Sequence, residues 1–170
     1  MALGAIPLRS YFCCMAEEKQ FRDSVEITAT KELKLFVRSM AATYQFVFRQ
    51  DQVDFVIRAM MIDLVNKEGV AALASRFGAA FPGEKLELSK EEVYLFYAML
   101  ELVCRSFLTE AGDAYKEMAM RVNQVSTERF NSVRSMELTI AQTLIGKFSD
   151  DFRDDPEFDE LSERIALLDT

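Results

Sequence analysis

Three carboxylates stand close together near the C-terminus: Asp150, Asp151 and Asp154, separated by Phe152 and Arg153. On a helix, residues three and four apart share a face. Carboxylates so placed can hold Mg²⁺ against a substrate diphosphate, because Mg²⁺ takes one or two carboxylates and fills its shell with phosphate oxygens and water. The acidic run continues through Asp155, Glu157, Asp159 and Glu160. It lacks the sixth-position glycine and the alternating ligands of a Ca²⁺-binding EF-hand loop. The chain contains no histidine. That closes off a histidine general base, Ser-His and Cys-His pairs, His-ligated zinc, a proximal-His haem and Glu-x-x-His di-iron sites.

The D-D-x-x-D spelling of residues 150–154 resembles the metal-binding motif of all-α prenyltransferases and terpene synthases. The resemblance covers five residues and implies Mg²⁺-assisted diphosphate chemistry. Such enzymes carry a second metal motif across the cavity and a much longer chain. Asn131-Ser132-Val133-Arg134-Ser135 does not complete that second motif. The competing reading, an acidic solvated helix end before Pro156, is the one the sequence favours.

Other constellations carry less chemistry. The Gly78 to Gly83 loop lacks the lysine and hydroxyl of a phosphate cradle and reads as a turn. Tyr94, Tyr97 and Glu101 fall on one helical face; a buried Tyr–Glu pair can move a proton, but such trios more often border a core. Cys104 lies mid-helix among apolar residues and reads as a core thiol. The odd cysteine count, with Cys13 and Cys14, reads as reduced thiols inside a cell. Nine Met and fourteen Phe without Trp suggest soft, adaptable apolar surfaces. Met60, Phe96, Tyr97, Met99, Phe107 and Met136 are therefore candidates for lining a pocket for a hydrophobic ligand, against a plain core as the alternative.

The elements that must position these residues are helical. Leu33, Phe36, Val37, Met40, Tyr44, Val47 and Phe48 recur at steps of three and four, with Thr28 or Thr30 as cap. Val53 to Val65 form a second stripe after a polar break near Asp51, and Val70 to Phe77 a short third. Ser89-Lys90-Glu91-Glu92 spells a capping box, with Leu88 and Val93 as its hydrophobic staple. It opens a helix near 90–122. A helix near 128–150 follows, with the stripe Val133, Met136, Ile140, Leu144 and Phe148; the two could also be one long kinked helix. Leu138, Ile145 and Phe152 lie off that stripe, so this helix reads as apolar on more than one side. Asp155-Pro156-Glu157 starts a short terminal helix.

Few glycines and prolines, six and three, argue for few long elements. The fold class expected is all-α, a single-domain bundle of four to six helices over residues 21–170. Residues 1–20 read as a disordered extension, with Met15 as a natural start. No run is long enough to span a membrane. The net charge of −8, with no basic cluster in the sequence, argues against nucleic acid. The expectation is a cytoplasmic, non-enzymatic binding module without cofactor: a homodimer, or a sensor for a small hydrophobic ligand or protein partner. The alternative is a small helical enzyme using Mg²⁺ at Asp150, Asp151 and Asp154.

Overall fold

Residues Lys90–Ser106 are apolar on every side of a helix: Val93, Phe96, Tyr97, Ala98, Met99, Leu100, Leu102, Val103 and Cys104 are all buried. Such a helix must be surrounded. In the computed structural model, which describes residues 22–49, 64–106, 117 and 120–167, it is the central element. Around it the described residues form β1 (Ser24–Ala29), α1 (Lys31–Arg49), α2 (Lys67–Ala79), β2 (Glu84–Ser89), α4 (Thr127–Asp151) and α5 (Pro156–Ala166), the central helix being α3. α3 packs against α2, α4, α5 and both strands, while α1 lies against α2. Phe96 of α3 meets Phe77 and Phe148 in edge and tilted ring contacts at 5.5 and 5.8 Å, which tie α2 and α4 to it.

Local chemistry sets the ends. The Thr30 hydroxyl accepts from the Leu33 amide at 3.1 Å, so Thr30 caps α1 and Thr28 belongs to β1. The Ser89 hydroxyl accepts from the Glu92 amide (3.2 Å), and the Glu92 carboxylate accepts from the Ser89 amide (3.1 Å). That is the full reciprocal capping box. Leu88 and Val93 are both buried beside it. Asn66 caps α2 through the Gly69 amide. A methyl group at Gly69 would come within 2.6 Å of Leu95 Cδ2 and 2.7 Å of the Asn66 side-chain oxygen, so glycine permits the approach of α2 to α3. Gln124 takes φ 53, and Ser126 accepts from the Arg129 amide. The chain from 90 to 150 is therefore not one kinked helix; it restarts at α4.

The sequence reading placed no strands, yet β1 and β2 pair antiparallel with Val25 opposite Leu88 and Ile27 opposite Leu86. Val25, Ile27, Ala29, Leu86 and Leu88 face the core and Ser24, Glu26, Thr28, Lys85 and Glu87 alternate outward. This two-stranded ribbon seals one flank of α3 without changing the class: the described structure is predominantly helical, as expected. The turn into β2 needs Gly83 at φ 90, a conformation L side chains rarely take. Residues 1–20, the stripe from Val53 to residue 63, and Phe107 lie outside the described residues. No helix of the described residues is long and apolar enough to cross a membrane.

Candidate functional site

Of the residues expected to line a pocket, the four that are described do not share one of the cavities seen here. Phe96, Tyr97 and Met99 are core residues of α3, each at most 3% exposed. Met136, on α4, is 46% exposed. Met60 and Phe107 lie outside the described residues. Neither of the two cavities described below is lined by Phe96, Tyr97, Met99 or Met136.

The acidic motif is not assembled either. α4 ends at Asp151, and Asp154 sits past the end in a left-handed turn at φ 64. The three carboxylates therefore do not share a helical face. Asp150 pairs with Arg153 at 2.8 Å, and Asp151 with Lys147 at 3.0 Å. Among the described residues no three Asp, Glu or Cys side chains form a group that could hold a metal ion.

Where α5 meets α3, polar groups close on one another. Asp155, 1% exposed, caps α5 through the Glu157 amide at 3.0 Å. Its carboxylate also accepts from the Tyr94 hydroxyl (3.1 Å) and pairs with the Lys90 ammonium (3.2 Å). Lys90 reaches Glu157 as well, at 3.1 Å. Burial pushes the Asp155 carboxyl up, but Lys90, the Glu157 amide and Tyr94 outweigh it and hold it below its ordinary range. Burial likewise pulls Lys90 down, and its bonds to Glu157, Asp155 and Tyr94 win, leaving it above an ordinary lysine. Burial and the Asp155 charge, only partly offset by Lys90, push the Tyr94 hydroxyl up to about 12. One turn on, the Tyr97 and Ser162 hydroxyls share a 3.2 Å hydrogen bond, and Glu101 pairs with Arg105 at 3.4 Å. Burial, with help from Glu101, pushes the Cys104 thiol up to about 11, so it stays protonated and a poor nucleophile. Tyr94 and Tyr97 thus bind α3 to α5, while Glu101 pairs within α3.

Among the described residues are two concavities that open to solvent. The first is a groove of about 420 Å³ between β1, the start of α1, and α4. Ile27, Leu33, Ile140 and Leu144 make its walls, with Glu26 and Lys147 among the lining residues. Thr139 and Thr143 also line it, but each hydroxyl donates to the carbonyl four residues back, Ser135 and Thr139, at 2.9 and 2.8 Å. Their donors are engaged within α4, which makes the groove more apolar than its composition suggests. Along α4, Ala141, Leu144 and Phe148 are buried, Val133 and Ile140 half-buried, and Met136 exposed. The expected stripe is therefore covered at its C-terminal end and opens toward solvent at Met136.

The second is a cleft of about 520 Å³ between α1 and α2. Lys31, Lys34 and Arg38 stand on its α1 side, with Leu35, Ala41, Ala42 and Gln45; Ala74, Gly78 and Pro82 line it from α2 and the turn beyond. Among the described residues no Asp or Glu lines it. Sequence reasoning missed both concavities. For the cleft the signal was present, three cations within two helical turns of an acidic chain. For the groove it was not, because β1 and α4 are more than a hundred residues apart.

No protein-family model matches the chain, and no curated protein or solved structure matches it significantly.

Proposed function

We propose that this chain is a non-enzymatic helical binding module, and that its working surface is the groove between β1 and α4, occupied by a second copy of the chain. The observation that carries the reading is the α4 stripe, which runs from a buried Phe148 through the groove-lining Ile140 to the exposed Met136. Apolar surface that continues outward from a groove is better covered than solvated. The lining is also suited to a two-fold partner. A two-fold interface presents the same patch from both sides, so a patch must complement itself. Here the two charges that line the groove, Glu26 and Lys147, are each paired within their own chain, with Lys85 and Asp151, so neither is left unmatched when the patch meets its own copy. Against an enzymatic reading stands the one fully buried carboxylate among the described residues, Asp155, which is engaged by Lys90 and Tyr94 in a structural cluster.

Sedimentation velocity tests this. The wild type is expected at twice the 19.4 kDa chain mass, and Met136→Glu at the chain mass, since a charge on that exposed residue spares the monomer but not the interface. A single species at the chain mass that persists as concentration rises about tenfold removes the reading.

A further inference from the structure

We propose that the cleft between α1 and α2 binds a small amphiphilic anion, a carboxylate or phosphate carried on a hydrocarbon body. This is independent of the self-association surface. Lys31, Lys34 and Arg38 succeed one another at steps of three and four, so they share a face of α1. They occupy its first two turns, where the helix already ends in partial positive charge and where cations are least favoured. Lys34 donates to the carbonyl of Ala80, the residue that ends α2, which holds its ammonium at the cleft. Lys31 and Arg38 make no ion pair among the described residues. The chain as a whole carries −8, so this is a positive site set against the overall charge, and an anion is what completes it.

Beyond the cations the cleft changes character. Ala41 and Ala42 face Ala74 and Gly78, small residues that leave room between the helices, and Leu35 at 56% exposed stands among them. A β-carbon added at Gly78 would meet nothing within 4 Å. The volume falls within the range of about 300–1,000 Å³ usual for small-ligand sites. An apolar body fits against the alanines with its charged end at Lys31, Lys34 and Arg38. A free inorganic ion would leave the apolar part uncovered, and a neutral alcohol would leave the cations unmatched.

The test uses the full chain and three eight-carbon probes, octanoate, octyl phosphate and octanol, with inorganic phosphate as a fourth. Calorimetry gives affinity and backbone amide shifts give location. Octanoate or octyl phosphate is expected to bind at least about tenfold more tightly than octanol or inorganic phosphate, the difference of one charge-assisted hydrogen bond. The shifts should fall on Leu35, Arg38, Ala42, Ala74 and Gly78, and whichever anion binds better identifies the head group. Arg38→Gln should lose about tenfold. Gly78→Leu should also lose binding, because its side chain enters the cleft while improving helix propensity, so the fold is kept. Octanol binding as tightly as the anions, shifts confined to other elements, unchanged affinity in either variant, or no saturable binding would each overturn the proposal.

Discussion

The α3–α5 contact and the α1–α2 cleft handle charge in opposite ways. At the first, Asp155 is buried and meets an ammonium, a phenol and a backbone amide; at the second, Lys31 and Arg38 stand over an apolar cleft with no carboxylate among the described residues of its lining. A buried charge without partners is too costly to keep, so the first arrangement is what folding requires. Exposed cations with no counter-charge add almost nothing to stability. The contrast separates groups that hold the chain together from groups left without a partner among its described residues, and under the proposed function the apolar residues of the β1–α4 groove belong with the second kind.

The largest effect should come from breaking the closed side. Asp155→Ala removes the α5 cap, strands the Tyr94 hydroxyl and leaves Lys90 only Glu157, and should cost about 2–4 kcal/mol in urea denaturation. Arg38→Gln should stay within about 0.5 kcal/mol in the same experiment. If the two variants are equally mild, the contrast between the regions is lost.

Acid provides a second probe. The Asp155 and Glu92 carboxyls are both held below their ordinary values despite burial, by Lys90 and by Arg76 respectively. A carboxyl depressed on folding contributes stability that is fully present above its unfolded pKa, about 4, and is lost as pH falls through the folded value. Stability should therefore decline below about pH 4 in the wild type and less steeply in Asp155→Asn. Parallel acid profiles for the two proteins would mean that Asp155 is not held as its contacts suggest.

A smaller loss, about 0.5–2 kcal/mol, is expected for Ser89→Ala, which orphans the Glu92 amide at the start of α3. An unchanged denaturation midpoint would show that the capping box does not matter to stability. Smallest of all is the effect of Mg²⁺. Since Asp150 and Asp151 pair with Arg153 and Lys147, and Asp154 lies past the helix end, millimolar Mg²⁺ should leave the melting temperature within about 1 °C in both wild type and Asp151→Asn. A rise of several degrees, lost in Asp151→Asn, would restore the metal site.

Much of this fold was legible because its signals are local. The box at Ser89, the Asp155-Pro156 start and the stripe of α1 each depend on residues within a few positions of one another, and each appears where expected. The strands were legible too, since Ser24 to Ala29 alternates polar and apolar residues strictly, but six residues of period two are easily passed over in a chain of period 3.6. Which helix is central was harder. α4 carries apolar residues off its main stripe and suggests a buried core helix, whereas α3 fills that place, because Ala98, Met99, Leu102 and Val103 complete its circumference. The site residues were least legible. Phe96, Tyr97 and Met99 are apolar and soft, which suits a pocket wall and a core equally well, and only the placement of their neighbours decides between the two. Open space is a property of residues far apart in the chain, such as Ile27 and Ile140, and no local pattern encodes it.

The central claim, that the β1–α4 groove receives a second copy, is tested most directly by amide hydrogen exchange at low and high protein concentration. Exchange should slow as concentration rises at residues 26–30 and 133–144 by more than the uniform slowing that added global stability gives α3 and α5. Exchange that is independent of concentration along the whole chain, or protection gained only at α5, would contradict it.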